Sequence, residues 1–335
     1  MSEIMFLDDD EFTCIDFFCG IGGIKTAFER HKIRGVCSID IDSKCKQTFD
    51  TNFPNKLLLR DITTIDEMEY ADVFTLGFNC QPFSVAGKQK GFQDERTQPL
   101  FTCLKLIEKH RPKCVFMENV KNLQTHDEKK SLTYIIERLE QNYTVFHTIL
   151  NTRHYSILPH NRERLFITAF RKDLDCSMFS QEFPKIDPHN WRTFLQPEDQ
   201  IPDKYYYKPT SKIYPILQEA CTSRDIVYQY RRTHVRENKN QAVPCLTANM
   251  GSGGHNVGIL VDNKGIRKFT PRECFRFQGF PDSYQFPNIA DSCLYKQIGN
   301  SVSIPIIELF ASQIHTVLMN NTTVPHIRSE RRRVD

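Results

Sequence analysis

The chain has 335 residues, of which 39% are apolar and 25% charged, with 25 Phe and 12 Tyr. That is too long for one small domain and apolar enough for a sizeable core, which argues against disorder and for a large domain with a smaller lobe. The net charge of +3, from 44 basic and 41 acidic residues, is too mild to name a nucleic-acid partner by itself. No apolar run is read as reaching the ~18–20 residues of a membrane helix. The acidic start, Asp8-Asp9-Asp10-Glu11 with no basic region before it, does not read as a signal peptide. None of the twelve cysteines forms a Cys-x-x-Cys pair. Neither a zinc site nor a disulfide framework is therefore expected, and most thiols read as small buried hydrophobes in a reducing compartment.

In chain order, residues 13–18 read as a buried strand that runs into Gly20-Ile21-Gly22-Gly23, after which Ile24–Arg30 reads as a helix. Further short apolar runs end at Asp40-Ile41-Asp42, at Arg60-Asp61, at Gly77-Phe78-Asn79-Cys80 and, after a helix over Leu100–His110, at Glu118-Asn119. Strand and helix alternating in this way predict a doubly wound, mostly parallel α/β sheet, whose ligand crevice lies beyond the carboxyl ends of its strands. Glycines after the first strand with Asp40 at the end of the second match a loop that binds an adenosine-bearing cofactor, the acid gripping the ribose hydroxyls. A helix near Ser131–Leu139 and two runs, Tyr143–Leu150 and Leu165–Phe170, follow and read as a hairpin closing the sheet. From about Arg171 to residue 265 the texture turns irregular, with prolines, tyrosines and a cluster of bases and aromatics over Arg224–Arg236. Thr270-Pro271 reads as a capped helix start, and a last helix runs from Ser303 to about Leu318. The tail Arg328-Ser329-Glu330-Arg331-Arg332-Arg333 is basic.

Cys80 at a strand end, followed by a Gly-containing loop through Gly91, has the placement of a nucleophile. Its thiol needs a positive neighbour to ionise, and Arg162 and Arg164 are candidates. Glu118 can serve as a general acid if burial raises its pKa, or can be a structural ion-pair partner.

Taken together the motifs resemble those of the cytosine-5 DNA methyltransferases of the bacterial restriction-modification type, from the first strand to the last helix. They stand in family order: Asp16-Phe17-Phe18-Cys19-Gly20-Ile21-Gly22-Gly23, then Cys80-Gln81-Pro82-Phe83-Ser84, Phe116-Met117-Glu118-Asn119-Val120 and Asn161-Arg162-Glu163-Arg164. Thr270-Pro271-Arg272-Glu273-Cys274, Gln278-Gly279-Phe280-Pro281 and Gln297-Ile298-Gly299-Asn300-Ser301-Val302 complete the set. The resemblance implies a Rossmann-like catalytic domain over residues 12–172, a smaller irregular target-recognition domain over 173–264, a return to the catalytic domain over 265–320 and a basic tail over 321–335.

It further implies methylation of carbon 5 of a cytosine flipped out of duplex DNA. Cys80 would add to carbon 6, Glu118 would act at ring nitrogen 3, and Arg162 and Arg164 would hold the base and loop. S-adenosyl-L-methionine would lie against Phe18, Gly20, Gly22, Gly23, Asp40, Ile41, Asp61, Ile62, Asn79, Asn300, Ser301 and Val302. Gln81, Ser84, Lys88, Arg231, Arg232, Arg236, Gly253 and Gly254 are the expected DNA contacts. A monomer with no metal and no membrane partner is expected, cytoplasmic, at the nucleoid in a bacterium or in the nucleus of a eukaryote. Asn79 stands where the family has proline; it keeps the backbone carbonyl and tolerates turns, so an active enzyme is still expected. Two other readings stay open, a transfer-RNA cytosine-5 methyltransferase and a non-catalytic DNA-binding relative; a nicotinamide oxidoreductase sharing the nucleotide fold has no use for Cys80, Glu118, Arg162 and Arg164 together.

Overall fold

A computed structural model describes residues 11–78, 98–231, 233–251 and 256–322. The first half contains β1 (Phe12–Phe17), α1 (Gly23–Glu29), β2 (Ile33–Asp40), α2 (Ser43–Asn52), β3 (Leu58–Leu59), β4 (Val73–Leu76), α3 (Gln98–His110), β5 (Cys114–Val120), α4 (Lys130–Glu140), β6 (Tyr143–Asn151), α5 (Thr152–Tyr155) and β7 (Glu163–Arg171). After it come α6 (Tyr214–Ala220), β8 (Val227–Arg231), β9 (His234–Asn238), β10 (Gly258–Val261), β11 (Ile266–Lys268), α7 (Pro271–Arg276), α8 (Asp291–Asn300) and α9 (Ile304–Thr322).

The first seven strands form one sheet in the order β3-β2-β1-β4-β5-β7-β6. Strands β1 to β5 are parallel, while β7 enters antiparallel beside β5 and pairs with β6 along its other edge. This is the expected doubly wound sheet, closed by the expected hairpin, and its order reverses direction between β1 and β4. The carboxyl ends at that switch point, Phe17 and Leu76, are the standard ligand position of an open α/β sheet. Two apolar cores flank the sheet. Phe17, Phe74, Val115 and Met117 meet α3 and α4 on one face. Cys14, Phe116 and Phe166 meet α1 and α9 on the other.

The irregular region holds more order than its sequence texture shows. A second sheet, β11-β10-β8-β9, is antiparallel throughout and reaches Lys268. Its apolar face shares one continuous core with α9 and the first sheet, through Tyr228, Ile259, Phe269 and Ile306. The expectation about apolar length also needs correcting. Within Asp291–Thr322 an 18-residue window has the length and hydropathy to cross a bilayer, because α9 is interrupted by too few charges to lower it. Ile304, Ile307, Phe310, Ile314 and Leu318 of α9 are buried in the core, and 56% of the window lies inside the protein, as in the core helix of a folded domain.

Candidate active site

The glycine loop turns sharply at the end of β1. Phe18, Gly20 and Gly22 have φ of 59°, 54° and 78°, a region that favours glycine at the last two. Asp40, at the end of β2, holds this loop: one carboxylate oxygen accepts from Gly20 N–H and the other from Asp42 N–H, both at 2.8 Å. Burial pushes the Asp40 carboxyl above its ordinary pKa, although both hydrogen bonds pull it down. Beside it Ile41 is 67% exposed, a large apolar side chain at the mouth of the crevice. Asp61 caps the short turn Ile62–Thr64, accepting from Thr63 N–H at 2.9 Å and Thr63 Oγ at 2.8 Å. Ile62 is buried.

The last motif comes to the same loop across the whole length of the chain. A Cβ on Gly23 would stand 2.9 Å from Ser301 Oγ and from Val302 Cγ2. α8, which carries that motif, is fastened to α2 by Gln297. Its amide donates to the Lys44 carbonyl at 2.8 Å and accepts from Thr48 Oγ at 2.9 Å. Tyr284, buried, donates its hydroxyl to the Ile21 carbonyl at 2.6 Å and so clamps the loop from above.

At the end of β5, Glu118 is 8% exposed and pairs with Arg164 of β7, Nε to Oε1 at 3.1 Å. The strands' register places Glu118 opposite Phe166 and Val120 opposite Arg164, so the two charges meet on a diagonal of one face. The contact is an ion pair without hydrogen-bond alignment: Glu118 Oε1 is buried with no hydrogen-bond partner. Its neighbour Asn119 points the other way and donates to the Phe78 carbonyl at 3.1 Å, two residues ahead of Cys80.

Arg162 is 2% exposed. Nη1 donates to the carbonyls of Leu246 at 3.2 Å and Gly299 at 3.3 Å, and Nη2 donates to the Ser301 carbonyl. Burial, reinforced by Arg164, lowers its pKa to about 10, which still leaves it charged at neutral pH. His160 is fully buried, and burial with the two arginines pushes its pKa well below the ordinary value. The ring is therefore neutral, and Nε2 accepts from Leu246 N–H at 3.0 Å.

A family model, the C-5 cytosine-specific DNA methylases, matches residues 12–316. The chain belongs to this family. As a DNA (cytosine-5) methyltransferase it is 41% identical over 308 residues to the type II methyltransferase M.Bsp6I of Bacillus sp. (strain RFL6), covering 90% of this chain and 98% of that one. It is 33% identical over 334 residues to M.HpaII of Haemophilus parainfluenzae, covering 93% and 91%. The solved S. pombe Dnmt2 methyltransferase superposes with a TM-score of 0.69 at 22% identity, over 93% of this chain and 99% of that one, a likeness of fold.

For this methyltransferase the structure thus brings together Phe18, the loop glycines, Asp40, Ser301 and Val302 at one end of the crevice, and Glu118 with Arg164 at the other. Asn300 is exposed at the end of α8. Arg231 and Arg236 lie on the exposed side of the β8–β9 hairpin. Asn79, Cys80, Gln81, Ser84, Lys88, Arg232, Gly253 and Gly254 lie outside the described residues. The mixing of bases and aromatics over Arg224–Arg236 resolves into two environments, because Tyr228 and Tyr230 are core residues. Sequence reasoning gave no role to His160, Gln278 or Tyr284, although Gln278 stands in one of the motifs. Their contacts span up to 263 residues of chain, so no local pattern announces them. Among the described residues no group of three His, Cys, Asp or Glu could hold a metal ion.

Proposed function

We propose that this methyltransferase transfers a methyl group from S-adenosyl-L-methionine to carbon 5 of a cytosine flipped out of duplex DNA, within a specific sequence. The observation that carries the reading is Glu118: a buried carboxylate whose Oε1 is ion-paired with Arg164 but has no hydrogen-bond partner, on the strand whose Asn119 grips the chain just ahead of Cys80.

Carbon 5 of cytosine is too electron-poor to accept a methyl group directly. A Cys80 thiolate that bonds to carbon 6 breaks the 5,6 double bond and drives its electron pair toward ring nitrogen 3. In its acid form Glu118 donates a proton at that nitrogen, which neutralises the developing charge in a dry site. Carbon 5 is then the nucleophile and takes the methyl group. Water takes the carbon 5 proton, the 5,6 double bond re-forms as the Cys80 thiolate leaves, and the proton on ring nitrogen 3 returns to Glu118. Extrusion of the base costs a few kcal/mol, met by contacts elsewhere on the DNA.

The residues present fit the cofactor. Asp40 keeps lone pairs beyond its two backbone bonds for a ribose diol, Ile41 offers an exposed apolar face beside it, and Ser301 and Val302 close against the glycine loop. When bound, S-adenosylmethionine supplies an electrophilic methyl group. The type II relative at 41% identity favours DNA over transfer RNA as substrate. The test is incubation with labelled cofactor and either duplex DNA or total RNA, with bisulfite sequencing of plasmid from an expressing host to locate the site. Label in DNA, and a covalent adduct with a duplex carrying 5-fluorocytosine at that site, are expected. A Cys80→Ala protein with a tenth or more of wild-type turnover, in a mechanism where the sulfur is obligatory, or label in RNA alone, would overturn the reading.

A further inference from the structure

Between β9 and β10, the segment over residues 243–249 is pinned from two sides. On one side lies the segment leading into β7. Val243 N–H donates to the Pro159 carbonyl at 2.8 Å, Asn161 N–H to the Val243 carbonyl at 2.9 Å, and His160 Nε2 accepts from Leu246 N–H at 3.0 Å. On the other side lies the end of α8. A Cβ on Gly299 would stand 2.2 Å from the Thr247 carbonyl carbon and 2.4 Å from Ala248 N, so only glycine lets the two backbones touch.

Arg162 sits where the three segments meet, and its two terminal nitrogens reach the carbonyls of Leu246, Gly299 and Ser301. Gln278 supports the same end of α8, its amide donating to the Ile298 carbonyl at 3.1 Å and accepting from Ser303 Oγ at 2.8 Å. A planar fork that stays charged at neutral pH suits this task, since it can hold several carbonyls in one fixed geometry. With both terminal nitrogens engaged by backbone and the group almost fully buried, Arg162 is placed to act on the site through the segments it binds.

We propose that Arg162 is a positioning residue that couples the two ligands: it transmits occupancy of the cofactor end, residues 299–302, to the recognition segment, residues 243–249, and the reverse. This rests on the reading of those two segments as cofactor and DNA neighbours. Linkage makes the coupling reciprocal, so one factor describes both directions. A cofactor that settles Gly299 and Ser301 also settles their carbonyls, and through the guanidinium the Leu246 carbonyl. DNA then meets a recognition segment whose ordering cost is already met.

The experiment measures binding of a duplex bearing the site found by bisulfite sequencing, with and without saturating S-adenosylhomocysteine, for wild type and Arg162→Lys. The ratio of the two dissociation constants is the readout, because a merely structural defect weakens both affinities and leaves the ratio alone. Wild type is expected to bind DNA about fivefold or more tightly with the analogue present, and Arg162→Lys to show a ratio within about twofold of one. A second measurement uses wild type alone: S-adenosylhomocysteine should slow hydrogen exchange at the amides of Val243 and Leu246. An unchanged ratio in Arg162→Lys overturns the coupling. If that variant does not fold, unchanged exchange in wild type overturns it. A wild type that binds neither ligand defeats the proposed function instead, and one that binds both with a ratio of one defeats only the coupling.

Discussion

Asn119 donates its side-chain amide to the Phe78 carbonyl at 3.1 Å and so ties the end of β5 to the end of β4. The orientation of the amide is set, because Oδ1 accepts from Val120 N–H at 2.8 Å and the nitrogen is left to face the carbonyl. Both residues are buried, so the bond is shielded from water. Asn79 and Cys80 follow directly in the sequence, and the tie holds the Phe78 carbonyl that precedes them. Asn119→Ala should therefore leave cofactor affinity nearly unchanged and slow single-turnover methylation by about five- to thirtyfold, the effect of about 1–2 kcal/mol on the barrier. Single-turnover kinetics equal to wild type would show that the tie has no part in the reaction.

Asp16 gives a pH prediction. It is fully buried on β1, one oxygen accepting from Thr75 Oγ at 2.7 Å and the other without a partner. Burial raises its pKa from 3.8 to about 7, against the pull of the Thr75 hydrogen bond and the Lys25 charge, and Asp40 adds to the rise. Between those two values the native protein holds a proton that the unfolded chain has released. Stability from this group is thus full below pH 3.8 and is lost as pH climbs through about 7. Asp16→Asn has no such proton, so its stability relative to wild type should improve across the window by up to about 1.4 kcal/mol per pH unit. Urea midpoints of both proteins across the window check this, and parallel pH profiles would show that Asp16 ionises without cost.

Arg267 makes a buried joint between β11 and α7. Nε donates to Asp262 Oδ2 at 2.8 Å, and the two terminal nitrogens fork onto Glu273 at 2.9 Å each. Arg267 and Glu273 are fully buried and Asp262 is 6% exposed. Glu273 also closes the capping box with Thr270, and Tyr206 donates to Asp262 at 2.8 Å. Arg267→Met should cost about 3–5 kcal/mol in urea unfolding because it strands two carboxylates in the core. Replacing Asp262 and Glu273 by leucine as well should recover much of that loss, since a paired buried charge stabilises little over a packed apolar group. A single variant as stable as wild type would mean that water reaches the carboxylates.

The parallel sheet was legible because its central strands β1, β4 and β5 are buried on both faces, and its strands read as short apolar runs with polar residues just past their ends. Asp40, Glu118 and Thr270-Pro271 were legible for the same reason, since local chemistry marks a strand end or a cap. α2 and α8 were not: they bury few apolar residues on one side and are held by Asp42, Thr48 and Gln297, so hydrophobic periodicity does not disclose them. The second sheet was hidden in a different way. β8 is buried on both faces over Val227–Tyr230, so its residues do not alternate, and the bases beside its tyrosines look like a surface motif. Arg162 shows the limit at a site. Its place in a motif is visible in the sequence, but three carbonyl partners from distant segments are visible only in the fold.

The β8–β9 hairpin gives the last prediction. Gln229 pairs with Arg236 and Arg231 with His234, which puts Arg231, His234 and Arg236 on one side of the ribbon, all exposed. Arg231 donates to Gln229 Oε1 at 3.3 Å, a neutral partner that leaves its charge uncompensated by that contact. Arginines so placed meet phosphates before base edges, and phosphate contacts position a protein without reading sequence. Arg231→Ala/Arg236→Ala should weaken binding to specific and unrelated duplexes alike and lower the slope of log K against log salt by about 2, one for each lost phosphate contact. Binding isotherms over a range of salt concentrations on both duplexes separate the outcomes. A variant that loses affinity only for its target, with the salt slope unchanged, would make these arginines readers of base edges. Unchanged binding to both duplexes would remove the hairpin from the DNA interface.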